Sequence, residues 1–152
     1  MVLKMRGVAL GSLFLAAVLS GCAAVEPVPP ALPATSTELV GGEWVAFAID
    51  GVDEVLVPKP KLRWTGLEQV SGTGGCNAFA GRAVVGPQGL RIGPLKATGK
   101  PCLTLPGGQE DRFFQALEQT RNARLEQDQL VLVDAAGKTL ARLLKANGTR
   151  AD

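Results

Sequence analysis

The sequence of 152 residues contains no histidine and no tyrosine, and only 5% of its residues are aromatic. Histidine is the commonest general base, the usual neutral metal ligand and the side chain that titrates near neutral pH. The chain also lacks a Gly-x-Ser-x-Gly elbow, a phosphate-loop signature and a Cys-x-x-Cys pair. We therefore expect no catalytic residue, no metal site and no cofactor, and we predict that the protein is not an enzyme.

Two pairs of adjacent acidic residues are the feature that best fits the alternative that the protein is a hydrolase. Glycoside hydrolysis uses two carboxyl groups, and the chain offers Asp53-Glu54 and Glu110-Asp111. A solvated turn and the start of a helix explain these pairs more simply, so we expect both to be structural.

The charge of the chain is nearly balanced once its start is set aside. Lys4 and Arg6 are two of the 16 basic residues and precede Cys22, so the chain from Cys22 onward carries 14 basic and 14 acidic residues. A formally neutral chain lacks the overall basic field that attracts nucleic acid or acidic lipid. We expect no nucleic-acid partner.

Residues 1–21 have the order of a bacterial lipoprotein signal peptide. Two basic residues are followed by the apolar run 8–19, which is short for a membrane span, and then by Leu19-Ser20-Gly21-Cys22. This ending matches a lipobox, which predicts cleavage before Cys22 and acylation of that residue. The alternative is an ordinary cleavable signal with a chance cysteine. In the enteric sorting pattern, an Asp directly after the lipidated Cys retains a lipoprotein in the inner membrane. This chain has Ala23 at that position, which predicts attachment to the outer membrane, on the periplasmic side.

A proline-rich linker follows the predicted anchor. Residues 22–38 contain Pro27, Pro29, Pro30 and Pro33. Such a composition favours extended, polyproline-like chain. We expect residues 22–38 to be a spacer, residues 39–146 to be the folded domain and residues 147–152 to be a polar tail.

Within the domain, short apolar runs separated by turn residues predict many strands. Strands are expected at 43–49, 61–65, 67–71, 82–85, 90–92, 96–98, 123–126, 129–133 and 138–144. Near residues 109–120 the apolar residues Phe113, Phe114 and Leu117 recur at helical spacing, with acids at the start and Arg121 just beyond the end. The predicted fold class is α+β, with a mostly antiparallel, curled and barrel-like sheet and one α-helix.

Two cysteines remain after Cys22, and they are Cys76 and Cys102. An exported chain leaves the reducing cytosol, so an even pair predicts a disulfide. The alternative is a redox-active or metal-binding pair, which the missing histidine and the absence of a nearby basic cluster disfavour. Cys76 lies in the glycine-dense stretch 72–81, which we expect to form a tight, bulged crossing between strands. In that stretch Asn77 is expected to hydrogen-bond its own turn.

The chain resembles the META domain of the heat-shock protein HslJ and of many bacterial lipoproteins, over about residues 38–146. The resemblance rests on Leu39–Trp44 with Asp50-Gly51, Gly74–Gly81, Ile92–Leu95 with Thr98 and Cys102, and Leu130–Gly137. The motif residues are Gly74, Gly75, Asn77, Phe79, Gly81 and Trp44, of which Trp44 is expected in the core. Family members usually carry Arg and Ser where this chain has Ala78 and Ala80, and a Thr-Arg-Met-Ala-Cys-like run where it has Gly99, Lys100 and Pro101.

The resemblance implies a role in envelope stress or drug tolerance. Our first hypothesis is a non-enzymatic, membrane-anchored protein that binds or stabilises another envelope protein. The second hypothesis is an inhibitor of a cell-wall-degrading enzyme such as lysozyme, although no lysozyme-inhibitor motif is recognisable. A hydrolase is the third.

Overall fold

The structure, a computed structural model, describes residues 36–102 and 108–146. The predicted signal peptide, Cys22, most of the predicted linker and the polar tail therefore lie outside the described residues. From the predicted linker, the structure describes a short helix, α1, at Ser36–Leu39. Leu39 at its end is fully buried.

The described residues form one antiparallel sheet and a longer helix. After α1 the elements are β1 Glu43–Ile49, β2 Lys61–Gly66, β3 Gln69–Thr73, β4 Ala78–Gly86, β5 Gly89–Ala97, α2 Gln109–Gln119, β6 Asn122–Glu126, β7 Gln129–Val133 and β8 Thr139–Lys145. The strand order is β5-β4-β3-β2-β1-β8-β7-β6. The sheet curls until its two ends approach, where the Leu90 N–H donates to the Arg121 carbonyl at 2.9 Å. The predicted α+β fold with a curled antiparallel sheet is confirmed.

Helix α2 lies against the concave face of this sheet, where it contacts β1, β5, β7 and β8. Its buried apolar residues, Phe113, Ala116 and Leu117, have the i, i+3, i+4 spacing that places side chains on one face of a helix. Glu110 and Asp111 lie in the first turn, near the positive end of the helix dipole. The helix predicted near residues 109–120 is thus confirmed, and it fills the centre of the curled sheet.

The strands show why the sheet has a buried and a solvated face. In β2 the buried Leu62 and Trp64 alternate with the exposed Lys61 and Arg63, which is the two-residue period of a half-buried strand. Trp44 on β1 is also buried, as predicted. The core between sheet and helix includes Leu39, Trp44, Leu62, Trp64, Val70, Phe79, Ile92, Phe113, Leu117, Leu130, Leu132 and Leu143.

The structure differs from the prediction in two places. In the glycine-dense stretch 72–81, most residues belong to strands β3 and β4, and only residues 74–77 form the turn between them. Strand β5 is continuous where two short strands were expected, and it passes through Pro94. Pro94 falls at a register shift in the β4–β5 pairing, where neither Gly93 nor Pro94 has a partner on β4, and proline is tolerated at such an irregular position of an end strand.

Candidate functional site

The turn between β3 and β4 is shaped by two adjacent glycines. A Cβ atom at Gly74 would lie 2.7 Å from the Glu110 carboxylate and 2.8 Å from the Phe114 ring. Gly75 has a φ of +118° and faces the Pro58 carbonyl, which would lie 2.7 Å from an added Cβ. Side chains at these positions would push the start of α2 and the loop before β2 away from the turn. The glycines therefore allow three segments to meet.

Glu110, in the first turn of α2, ties the helix to that turn. Its Oε2 accepts hydrogen bonds from the Cys76 N–H at 3.0 Å and the Asn77 N–H at 2.6 Å. Its Oε1 accepts from the Asn77 side-chain amide at 2.7 Å. The residue is only 7% exposed. Glu110 lies at the helix start and is structural, as expected, but it is buried there: a buried carboxylate is compatible with the core only because donors surround it.

Asn77 is the centre of the same network. Its Oδ1 accepts from the Thr98 hydroxyl and from the Lys100 N–H, both at 2.8 Å. Its Nδ2 donates to Glu110 and, at 3.3 Å, to the Lys100 carbonyl. The expectation that the side chain of Asn77 would bond its own turn is wrong, because its partners lie at least 21 residues away along the chain. One amide thus connects the β3–β4 turn, the segment after β5 and helix α2.

The two cysteines of the domain form a disulfide beside this network. Cys76 and Cys102 are bonded, with Cα atoms 6.2 Å apart and a sequence separation of 26 residues. The predicted pairing is therefore present in the structure. The disulfide holds the segment after β5 against the β3–β4 turn, at the same place where Asn77 holds it by hydrogen bonds.

The remaining motif residues support the packing beneath the turn. Phe79 on β4 contacts Phe113 and Phe114 edge to face, with ring centroids 6.2 and 5.4 Å apart. A Cβ atom at Gly72 would overlap the Lys61 carbonyl oxygen of the neighbouring strand, and one at Gly81 would lie 2.8 Å from the Leu95 side chain. Phe79 thus joins β4 to α2, while Gly72 allows β3 to approach β2 and Gly81 allows β4 to approach β5.

Ala78 and Ala80, where the resemblance includes Arg and Ser, are exposed on the convex face of the sheet. They lie on the opposite face of β4 from Phe79 and do not take part in this packing.

Gln109, next to Glu110, connects α2 to the loop between β1 and β2. Its Oε1 accepts from the Leu56 N–H at 2.8 Å, and its Nε2 donates to the carbonyls of Leu56 at 2.9 Å and Pro58 at 3.2 Å. A side-chain amide that pairs with both backbone groups of one residue acts as a neighbouring strand would. The loop is thereby held over the β3–β4 turn.

A groove of about 400 Å³ opens between that loop and the turn. The residues that line it are Val52, Glu54, Leu56, Val57, Pro58, Gly74, Gly75, Cys76, Gly108, Gln109 and Glu110. Leu56 and Val57 are 60% and 81% exposed, which is unusual for aliphatic side chains placed next to each other. The groove thus presents an apolar surface beside the disulfide. Asp53 and Glu54, the other acid pair, are exposed near its edge, as expected.

Away from the groove, the carboxyl group of Glu126 is held by two arginines. Glu126 on β6 accepts from Arg124 at 2.7 Å and from Arg142 at 3.0 Å, and these two guanidinium groups lower the pKa of its carboxyl. Within residues 36–102 and 108–146, no group of three or more cysteine and acidic residues could hold a metal ion. In the same ranges, no helix is long and apolar enough to cross a membrane.

Sequence reasoning identified the turn, the disulfide and Phe79 but missed the roles of Glu110 and Gln109. Both were read as part of an ordinary helix start, where acids are common for electrostatic reasons. Their partners at residues 56, 58, 76 and 77 are distant in sequence. The only local signal was two glycines in a row, which showed that something must come close to the turn but not which residue.

Comparisons with known proteins agree with this architecture. No curated protein matched the chain. Among solved structures, an NMR structure of a protein from Burkholderia xenovorans is similar, with a TM-score of 0.63 and 26% identity, over 87% of this chain and 99% of that one. A second NMR structure shares the fold, with a TM-score of 0.54 and 22% identity, over 73% of this chain and 95% of that one. Residues 37–147 match the model of the META domain. The chain therefore belongs to the META domain family.

Proposed function

We propose that this protein is a lipid-anchored META domain protein of the bacterial envelope, which binds or stabilises another envelope protein and catalyses no reaction. In this proposal Cys22 carries the lipid, residues 23–35 form most of the spacer and the domain lies on the periplasmic side of the outer membrane. The lipobox at Leu19–Cys22 supports the anchor. An anchored domain on an extended spacer can meet partners at a membrane without leaving it.

The observation that carries the binding role is the groove beside the disulfide. Its aliphatic residues Leu56 and Val57 are largely exposed, although more than twenty other apolar residues are buried in the core. Exposed apolar patches bordered by polar groups are typical of interaction sites. The one acid at its base, Glu110, uses both carboxylate oxygens to accept hydrogen bonds from the protein itself. That arrangement favours a structural role for Glu110 over a role in proton transfer.

The anchor is tested by the intact mass and detergent partitioning of protein isolated from a bacterial envelope. We expect acyl chains on Cys22 and recovery in the detergent phase, and we expect Cys22→Ser to lose both. The matched control is the double substitution Cys76→Ser and Cys102→Ser, which should remain lipidated. An unmodified Cys22 in the wild-type protein would contradict the anchor.

The binding role is tested by crosslinking in intact cells, followed by isolation of the protein. The double variant Leu56→Asp and Val57→Asp should lose crosslinked envelope proteins, because a charged groove disfavours apolar contact. Leu67→Asp is the matched control, since Leu67 is 64% exposed in the β2–β3 connection and does not line the groove. Equal crosslinking by all three proteins would contradict a role for the groove.

A lysozyme assay with the purified protein tests the inhibitor hypothesis, and uninhibited lysis would reject it.

A further inference from the structure

The formal neutrality of the chain conceals a separation of charge between two parts of the fold. Residues 58–102, which contain β2 to β5, carry seven basic residues and one acid, a difference of six positive charges. The other described residues, 36–57 and 108–146, carry six basic and eleven acidic residues, a difference of five negative charges. Because β2 to β5 are adjacent in the sheet, one half of the sheet is basic. Sequence totals could not show this separation, since the two differences nearly cancel and leave one positive charge over the described residues.

Most of these positive charges lie on the convex, solvent-facing side of β2 to β5. In that half of the sheet, the exposed basic side chains of the strands are Lys61, Arg63, Arg82, Arg91 and Lys96. Directly opposite residues on paired strands share a face, and the pairing Arg63–Ser71–Ala80–Lys96 places Arg63 and Lys96 on the same side. Three strand spacings of about 4.8 Å separate them by roughly 14 Å.

The middle of this surface carries only short side chains. Ser71 and Thr73 on β3 lie opposite Ala80 and Ala78 on β4. Ser71, Thr73 and Ala78 line a depression of about 450 Å³, together with Glu43, Lys61 and Arg63 on its β2 side. On the other side, Lys96 on β5 lies opposite Ala80. A flat anionic surface could therefore approach the strands closely while arginine and lysine reach it from either side.

Acidic side chains neutralise this surface only in part. Glu43 forms ion pairs with Lys61 at 3.1 Å and with Arg63 at 3.7 Å, and Glu68 pairs with Arg82 at 2.6 Å. These pairs are exposed, so water and salt weaken them and they can exchange for another anion at little cost.

Arg91 and Lys96 lie on β5, the end strand, and are both exposed. Within the part of the chain that the structure describes, neither has an ion-pair partner. Among the basic side chains on strands β2 to β5, they are therefore the most available to an external anion.

We propose that the convex face of β2 to β5 docks the domain onto anionic phospholipid headgroups. The basic groups are spread over a broad, shallow and convex face, which suits a plane of phosphates better than a single small anion. This inference concerns the folded domain's own surface and does not depend on acylation of Cys22. It predicts that the domain turns its basic half towards a membrane and leaves the acidic half, with β6 to β8, towards the solvent.

The test uses the chain from residue 22 onward, with Cys22→Ser so that no lipid is attached. This chain contains all the described strands and the core, and the similar Burkholderia protein, 99% of which is covered, is folded in solution. Sedimentation with phosphatidylglycerol-containing vesicles should show binding that pure phosphatidylcholine vesicles lack. The double variant Arg91→Gln and Lys96→Gln should partition about 20-fold more weakly, because each basic group near an anionic membrane contributes about fivefold.

The matched control is the double variant Arg112→Gln and Lys138→Gln, which removes the same charge from exposed positions in the acidic half. It should bind within about twofold of the wild type, since its charges lie away from the basic face. Equal losses in both double variants would overturn the proposal, as would absence of binding or equal binding to neutral vesicles. Displacement by inorganic phosphate at constant ionic strength would overturn it too, because the ligand would then be a free anion. Tighter binding to duplex DNA than to vesicles would assign the face to nucleic acid instead.

Discussion

Replacing Glu110 by Gln tests whether the buried network holds the domain together. Gln keeps the shape of the side chain but exchanges one acceptor oxygen for a donor. If its oxygen faces the N–H groups of Cys76 and Asn77, its amide faces the Asn77 amide, and two donors meet. Rotating the Asn77 amide would instead break its bonds with Thr98 and Lys100. No arrangement of the two amides retains all the hydrogen bonds.

The loss of stability expected for Glu110→Gln is set by two opposing effects, the weakened hydrogen bonds and the relieved desolvation of the carboxylate. One hydrogen bond to a charged group contributes about 1.5–3 kcal/mol, and the two that remain become weaker when the charge is lost. Removing a buried charge also relieves the cost of its desolvation, which opposes this loss. Because three donors surround the carboxylate, we expect the hydrogen bonds to dominate and Glu110→Gln to lower the free energy of unfolding by about 2–3 kcal/mol.

The assay is chemical denaturation at neutral pH, with the Cys76–Cys102 disulfide intact in every protein. The matched control is Glu118→Gln in the same helix, because Glu118 is exposed and its carboxylate accepts a backbone hydrogen bond from the Leu95 N–H at 3.1 Å. We expect that control to cost less than about 1 kcal/mol. The reasoning is refuted if the two variants unfold together, or if Glu110→Gln is more stable than the wild type, since desolvation would then outweigh the hydrogen bonds.

Three further predictions concern the covalent link, a strand contact and an ion pair. Replacing Cys76 and Cys102 together by Ala should lower the free energy of unfolding by about 3.5 kcal/mol, from loop entropy over their separation of 26 residues, and equal stability under oxidising conditions would contradict this. Gly72→Ala should lower the free energy of unfolding by more than about 3 kcal/mol because its Cβ overlaps a backbone carbonyl, whereas Gly86→Ala, with open space around it, should change the free energy of unfolding by less than about 0.5 kcal/mol. Glu126→Gln should destabilise by less than about 1 kcal/mol at neutral pH, since its ion pairs with Arg124 and Arg142 are still about one-third exposed and are weakened by water. Arg124 and Arg142 lower the pKa of the Glu126 carboxyl in the folded protein. The stabilisation is therefore present above the ordinary pKa of about 4.3 and is lost as the pH falls through the lower pKa of the folded state. At such low pH, the free energies of unfolding of the variant and the wild type should converge.

Patterns that repeat over a few residues predicted the fold correctly. Alternation in β2 and the helical spacing of Phe113 and Leu117 depend on which face a side chain occupies, and that geometry is local. The glycines at 74 and 75 showed that the backbone is approached closely, and the two cysteines suggested their own pairing. These features depend on chain stereochemistry, so a single sequence was enough to find them.

The tertiary structure alone decided which groups meet across the chain. Glu110 and Asn77 are 33 residues apart, so neither side chain has a local pattern that identifies the other. The groove exists because Gln109 holds the loop that carries Leu56 and Val57, and the basic face exists because β2 to β5 are neighbours in the sheet. The total charge of a sequence does not show which charged residues become neighbours on the folded sheet. For this protein the sequence therefore determined the secondary structure and the disulfide, and the tertiary structure determined the buried network around Glu110, the groove and the basic face of β2 to β5.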